Sequence, residues 1–256
     1  MNKLSVSLIS YLNSRPFLYG LEHSPINDEI RIFLDIPAKT AAKLAAGKVD
    51  IGLIPVGALS DLKDYNIVSD FCIGADGQVR TTILASEVPL EEIDTIILDY
   101  QSRSSVLLTR ILSFFFWKRA FKWENSCASF EKTRISGKTA GVVIGDRVFA
   151  IEKKYPYIYD LAEEWKNFTG LPFVYAVWVA ASPIPESFLS RFNEALAFGI
   201  RNIQEVEKNE MSRYPEVKIY DYFTRNISYD FDERKKEGMR KFLELAEICP
   251  PWRKGN

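Results

Sequence analysis

Hydroxyl residues and an arginine follow a short apolar run near the middle of the chain. Residues 95–99 are apolar up to Asp99, and Tyr100-Gln101-Ser102-Arg103-Ser104-Ser105 leads into residues with helical spacing. The free N–H groups and positive dipole end at a helix N-terminus bind carboxylates and phosphates. Serines add donors without bulk, and Arg103 adds a charge. The segment predicts an anion site, although Ser102 or Ser104 could also act only as a helix cap.

A second polar turn lies near the N-terminus. The largely apolar residues Leu4–Ile9 predict a buried strand, and Pro16 stands where a helix can begin, because proline is tolerated in the first helical turn. Asn13 and Ser14 therefore fall between a strand and a helix. In open α/β sheets, ligands bind at this edge. The same two residues could instead simply cap the helix.

Three other places carry weaker signals. Thr81 and Thr82 lie in a β-rich segment, where side chains alternate, so only one of them should face a ligand. Pro55 ends an apolar strand, and the turn that follows it could supply backbone contacts to a ligand. Gly145 and Asp146 follow another apolar strand, and we expect Asp146 first of all to cap the next helix.

The composition excludes several kinds of chemistry and partner. The formal net charge of −1 gives no reason to expect nucleic acid or an anionic membrane. A single histidine, His23, leaves little material for a histidine base or a polyhistidine metal site. Three well-separated cysteines form no CxxC pair, which favours a reducing cytoplasm over a disulfide framework. The sequence therefore predicts neither a metal nor a cofactor.

No secretion signal or membrane span is predicted. The N-terminus runs directly into a strand, without a cationic start and a long apolar core. The longest uncharged apolar stretch, residues 111–117, is too short to cross a bilayer. We expect a cytoplasmic protein, and its oligomeric state stays open.

Strand-like and helix-like segments alternate along most of the chain, as in parallel α/β sheets. The first series comprises residues 4–9, 30–34, a helix at 38–46, and 49–55. The second comprises residues 95–99, a helix near 104–117, and 140–144. Helical periodicity at 186–206 and 232–248 predicts two outer helices.

Two β-rich segments, residues 80–86 and 173–181, break this alternation and bracket a central block. Such an order is typical of two lobes joined by crossing strands. We expect one lobe from residues 1–88 and 176–256, a second, inserted lobe from 89–175, and a ligand cleft between them.

These segments resemble the chorismate dehydratases of the futalosine route to menaquinone, the MqnA family. The resemblance rests on Ser10-Tyr11-Leu12-Asn13-Ser14-Arg15-Pro16, Asp50-Ile51-Gly52-Leu53-Ile54-Pro55, Val79-Arg80-Thr81, Ser102-Arg103-Ser104-Ser105-Val106-Leu107-Leu108, Ile144-Gly145-Asp146, and Asp160-Leu161-Ala162-Glu163-Glu164-Trp165-Lys166 running on to Thr169-Gly170-Leu171-Pro172-Phe173. The last stretch is the most specific. The family usually has serine at the position of Thr81, and often threonine at that of Ser104 or Ser105; each exchange keeps a hydroxyl.

The resemblance implies an α/β, two-lobed fold like that of type II periplasmic binding proteins, with two crossing β-strands as hinge. It also implies elimination of water from chorismate to give 3-[(1-carboxyvinyl)oxy]benzoate. We assign Asn13 and Thr81 to catalysis. The residues expected to bind substrate are Ser14, Arg15, Pro55, Ser102, Arg103, Ser104, Ser105, Gly145 and Asp146.

Chorismate suits such a site because it carries two carboxylates and becomes aromatic on losing water. Groups that hold the ring carboxylate would also stabilise the charge that builds up during deprotonation. The candidate turns contain no histidine and no paired carboxylates. We therefore expect substrate-assisted elimination, with the enolpyruvyl carboxylate of chorismate as the base.

Three alternatives stay open. The resemblance to 1,4-dihydroxy-6-naphthoate synthase, an enzyme of the same pathway and fold, implies an active-site histidine, whereas His23 lies in a Ser-Pro turn where we expect solvent. A small-anion solute-binding protein would need an export signal or a lipidated cysteine. The effector domain of a transcription regulator would need a helix-turn-helix before the first strand.

Overall fold

The computed structural model describes residues 3–62 and 64–250. The chain divides into two compact units. The first unit comprises the described residues up to Gly74 together with Val174–Glu233. The second comprises Ala75–Phe173 and the described residues from Arg234 onward.

The strands, in chain order, are β1 (Leu4–Ile9), β2 (Ile30–Asp35), β3 (Ile51–Pro55), β4 (Asn66–Ala75), β5 (Thr82–Ser86), β6 (Thr95–Leu98), β7 (Lys122–Asn125), β8 (Thr139–Ile144), β9 (Tyr157–Asp160), β10 (Phe173–Ala180) and β11 (Ser228–Asp230). The α-helices are α1 (Arg15–Glu22), α2 (Pro37–Ala45), α3 (Arg103–Ile111), α4 (Leu161–Thr169), α5 (Glu186–Arg201), α6 (Ile203–Glu210), α7 (Ile219–Asp221) and α8 (Glu233–Ile248). None of the helices in the described residues is both long and apolar enough to span a membrane.

The first unit contains a six-stranded sheet in the order β11-β4-β10-β3-β1-β2. Strand β1 pairs in parallel with both β2 and β3, which confirms the parallel order predicted for the first series. Helices α1 and α5 cross at backbone contact, because a Cβ on Gly20 would lie 2.0 Å from the carbonyl oxygen of Ala195. This close crossing fixes the helix that follows the Asn13 turn.

The second unit contains a five-stranded sheet in the order β7-β6-β8-β5-β9. Strand β6 is parallel to β7 and β8, whereas β5 is antiparallel to β8 and β9. Helix α8 packs within this unit, where the Phe242 ring lies 5.1 Å from that of Phe173 and 6.2 Å from that of Trp165.

The borders of the units differ from those of the predicted lobes. The predicted borders lie at 88/89 and 175/176, whereas the chain passes between the units after Gly74, Phe173 and Glu233. The first border differs because β5 is hydrogen-bonded to two strands of the second sheet. The last arises because α8 packs against α4 through Phe242 and Trp165, and against the segment after α4, where an added Cβ on Gly238 would lie only 2.2 Å from the Pro172 carbonyl oxygen.

Candidate functional site

The serine turn after β6 is a true helix N-terminus with buried hydroxyl groups. The Ser102 Oγ accepts the backbone N–H of Ser105 at 3.0 Å and also donates to the Ser105 Oγ at 2.9 Å. Ser102, Ser104 and Ser105 are all buried. Arg103, which lies between Ser102 and Ser104, is the first residue of α3. The capping role open to Ser102 is therefore confirmed, and the other two hydroxyls exceed what a single cap requires.

An ion-pair network joins this turn to the turn that follows β8. The Asp99 carboxylate lies 2.5 Å from the Arg147 Nη2 and accepts the Gln101 N–H at 2.8 Å. Arg147 also lies 3.3 Å from the buried carboxylate of Glu131. Burial raises the pKa of Asp99, and the charge of Arg147 opposes that rise. Because β6 and β8 are parallel, both turns leave the same edge of the sheet.

Thr81 also lies at this edge of the sheet, directly before β5. Strand β5 runs antiparallel to β8, and its first residue, Thr82, is opposite Ile144 at the end of β8. The Gly145 N–H donates to the Thr81 carbonyl oxygen at 2.8 Å. Thr81 and Thr82 are both buried, so burial does not show which of them faces a ligand. A short 3-10 helix over Gly145–Ala150 follows β8. The prediction that Asp146 caps this helix is wrong, because Ile144 is its N-cap residue and Asp146 lies inside its first turn.

The backbone before Thr81 is held by a carboxylate that the sequence analysis did not single out. Asp160 accepts the N–H groups of Val79 at 3.2 Å and Arg80 at 2.6 Å. It also caps α4 through the N–H groups of Ala162 at 3.0 Å and Glu163 at 3.2 Å. Burial raises the pKa of Asp160 to about 6, although these four donors favour the ionised form. An aspartate three residues before a glutamate is a common N-cap pattern and could have indicated it.

Arg80 has a left-handed backbone, with φ of +67°, directly before Thr81. Its guanidinium makes two hydrogen bonds to Glu152, at 2.9 and 2.6 Å, and lies 5.1 Å from the Phe149 ring centroid. Left-handed conformations cost energy for residues other than glycine and persist where surrounding contacts hold them. The backbone and the guanidinium of Arg80 are thus both held by carboxylates, and this fixes the segment that leads into β5.

In the first unit, Asn13 and Ser14 follow β1, while Pro55 ends β3. Since these strands are parallel, both turns leave the same edge of the sheet. The Ser14 Oγ donates to the Asn13 Oδ1 at 3.2 Å, and Ser14 makes no side-chain cap to α1. The buried hydroxyl of Tyr229 donates to the Asn13 carbonyl oxygen at 3.0 Å. The backbone of Asn13 is therefore anchored independently of its amide side chain.

Arg15 begins α1, with Pro16 in the first turn as predicted. Its Nε lies 3.3 Å from a carboxylate oxygen of Glu210, and both side chains are only 12% exposed. A second contact joins its Nη2 to the Ser10 carbonyl oxygen at 3.5 Å. Arg15 thus forms an ion pair within the first unit, and its predicted contact with substrate stays a prediction.

The structure therefore gathers the predicted residues into two groups, each at one edge of its own sheet. The second-sheet group consists of Thr81, Ser102, Arg103, Ser104, Ser105, Gly145 and Asp146. The first-sheet group consists of Asn13, Ser14, Arg15 and Pro55.

His23 is solvent-exposed, as expected, and its ring stacks on Tyr19 at 4.1 Å. Across residues 3–62 and 64–250, no group of three or more His, Cys, Asp or Glu could hold a metal ion.

A family model described as menaquinone biosynthesis matches residues 4–248 of the chain. The chain belongs to this menaquinone biosynthesis family. A chorismate dehydratase from Thermus thermophilus is 23% identical to it over 269 residues, covering 91% of this chain and 96% of that protein. The predicted family is thus confirmed, and the name of this relative describes a dehydration.

Solved structures support the fold of this family member. Protein AF1704 from Archaeoglobus fulgidus matches with a TM-score of 0.76 at 15% identity, covering 96% of this chain and 97% of that one. The Candida albicans CA3427 gene product, described as having the generic periplasmic binding protein fold, matches with a TM-score of 0.69 at 13% identity, covering 99% and 92%. These matches confirm the predicted periplasmic-binding-protein-like fold.

Proposed function

We propose that this protein eliminates water from chorismate to give 3-[(1-carboxyvinyl)oxy]benzoate in menaquinone biosynthesis. The family match and the likeness to a chorismate dehydratase support this function. The observation that carries it is the cluster of three buried serines, Ser102, Ser104 and Ser105, at the N-terminus of α3. Hydroxyls and free N–H groups at a helix N-terminus suit a carboxylate ligand.

In this proposal, the serine turn holds one carboxylate of chorismate, and Thr81, at the same edge of the second sheet, supplies a further hydroxyl. The Arg147–Asp99 pair and the Asp160 contacts keep these two segments in place before substrate arrives. A preorganised set of donors stabilises developing charge without reorganising during the reaction. If the ring carboxylate lies there, the negative charge that spreads onto it during deprotonation is stabilised by the same donors.

Asn13 is proposed to orient the leaving hydroxyl or the other carboxylate. Its amide both donates and accepts hydrogen bonds, and it carries no charge at neutral pH. The Tyr229 hydroxyl bonds to the Asn13 backbone, not to the amide, which leaves the backbone fixed while the side chain serves the substrate. The Ser14 hydroxyl donates to the amide oxygen and so restricts its orientation.

The direct test is to incubate the purified protein with chorismate and follow the product by ultraviolet absorbance and mass spectrometry. We expect an aromatic product one water lighter than chorismate. Binding of chorismate without turnover would instead favour a solute-binding protein. If chorismate is neither bound nor converted, the related alternative is an enzyme like 1,4-dihydroxy-6-naphthoate synthase, and the proposal is wrong.

A further inference from the structure

A cavity of about 480 Å³ opens in the second unit at the C-terminal end of α3. Its described lining includes three cations and three aromatic rings: Arg110, Lys118, Arg119, Phe114, Phe121 and Trp123. The cavity reaches α3 at Arg110, seven residues after Arg103 at the N-terminus of the same helix. At 1.5 Å per residue, that separation is about 10 Å along the helix axis. The cavity is therefore distinct from the candidate catalytic group.

An irregular backbone builds one side of the cavity. Helix α3 continues as a π-helical turn over Leu112–Phe116, and the Arg119 N–H then donates to the Ser113 carbonyl oxygen at 2.9 Å. Lys118 between them has a left-handed φ of +53°. The Ser113 hydroxyl closes the turn by donating to the Arg119 carbonyl oxygen at 2.6 Å. Single π-helical turns and left-handed residues are costly and recur at functional sites.

Among the described residues, no carboxylate forms an ion pair with Arg110, Lys118 or Arg119. The described lining of the cavity also includes no Asp or Glu. Arg110 donates to the Pro250 carbonyl oxygen, a neutral acceptor. Arg119 makes a long contact of 3.5 Å to the Ile93 carbonyl oxygen. Neither contact neutralises the charge of its guanidinium group.

Arg119 carries the clearest sign of a missing partner. Its Nε is buried without a hydrogen-bond partner in the described structure. Its guanidinium carbon lies 5.6 Å from the Phe121 ring centroid, which orients the group over an aromatic surface. A buried donor without an acceptor costs about 1–3 kcal/mol.

Aromatic side chains form the rest of the wall. Phe114 is 53% exposed, unusual for so large an apolar side chain, and Trp123 lines the same space. We propose that the cavity binds a small aromatic carboxylate, with its ring against Phe114 and Trp123 and its charge on Arg110, Lys118 and Arg119. The volume is within the range of small-molecule sites. This inference does not depend on the proposed function.

The test is calorimetric titration of the whole protein with benzene-1,3-dicarboxylate. The double variant R110Q/K118N removes two cations, and asparagine tolerates the left-handed backbone at position 118. K208Q/R225Q is the matched control, because it makes the same charge change at two exposed positions of the first unit. We expect at least tenfold weaker binding to R110Q/K118N and unchanged binding to the control. Unchanged melting temperatures show that both variants fold.

Three further titrations separate this cavity from other sources of binding. S104A/S105A should bind benzene-1,3-dicarboxylate as tightly as the unchanged protein, because the serine turn lies at the other end of α3. Cyclohexane-1,3-dicarboxylate and inorganic phosphate should each bind at least tenfold more weakly than the aromatic acid. Equal binding to R110Q/K118N, loss of binding in S104A/S105A, or equal affinity for either non-aromatic anion overturns the proposal.

Discussion

The Asp160 carboxylate accepts the backbone N–H of Arg80 at 2.6 Å while the same carboxylate caps α4. This bond holds a left-handed residue directly before Thr81. The Thr81 hydroxyl, proposed to meet substrate, is therefore positioned by an acid that lies 80 residues after Arg80 in the chain. The helix cap and the turn thus share one buried carboxylate.

Replacing Asp160 should separate its two roles. Serine caps helices well but is too short to reach the N–H groups of both Val79 and Arg80. We expect D160S to lower the free energy of unfolding by about 1–3 kcal/mol through the lost turn contacts, measured by urea denaturation at pH 7. D160A also loses the cap and should cost about 1 kcal/mol more. Stability of D160S equal to that of the unchanged protein would show that the turn does not need Asp160.

The pKa of Asp160 predicts a specific pH dependence. Burial raises it to about 6 in the folded protein, from an ordinary value of 3.8. Folding therefore favours the protonated acid, and its contribution to the free energy of unfolding increases as the pH falls from about 7 to about 4.5, by about 2 kcal/mol. D160N, which keeps every other titrating group, should lack this rise. Urea denaturation at both pH values measures it, and a difference between the two proteins that does not grow at the lower pH would contradict the assignment.

The sequence allowed most of the strand and helix order to be predicted, because β1, β3, β6 and β8 are largely apolar runs bounded by clear turns. The short strands β7 and β11 have three or four residues and largely polar faces, so periodicity could not reveal them. The serine turn was predictable because strand, hydroxyls and helix are adjacent in the chain. The Asp160–Arg80 and Arg147–Asp99 contacts were not, since each joins residues about 50 or more positions apart.

The serine turn can be tested directly. S104A/S105A removes two buried hydroxyls but keeps the Ser102 bond to the backbone N–H of residue 105. We expect chorismate binding to weaken by about 1–3 kcal/mol, the range for hydrogen bonds to charged groups. S187A/S190A, two exposed serines of α5, is the control and should bind normally. An unchanged Michaelis constant and turnover in S104A/S105A would remove the turn from the site.

Asn13 offers a charge test. N13D places a negative charge where chorismate, a dianion, is proposed to lie, and we expect turnover to be lost while the melting temperature is kept. The fold should survive because Tyr229 bonds to the Asn13 backbone oxygen, which the exchange does not alter. N27D makes the same charge change at an exposed position of the same unit and should remain active. An N13D protein with normal turnover would exclude Asn13 from the site.

The last prediction concerns the base. His23 is exposed and stacked on Tyr19, which leaves Asp146 as the one titratable acid among the predicted site residues. A carboxylate facing a dianion would be repelled by about 1 kcal/mol at 4 Å in water, and by more in a closed site. Chorismate carries its own enolpyruvyl carboxylate near the proton that leaves, and the hydroxyl and amide donors need only hold the conformation in which that carboxylate reaches it. A general base contributes about 10²–10⁴-fold to the rate. H23A and D146N should therefore keep turnover within about tenfold of the unchanged protein, a smaller loss than removal of a base would cause. A loss on the larger scale in either variant, with chorismate binding and melting temperature unchanged, would assign the base to the protein and refute substrate assistance.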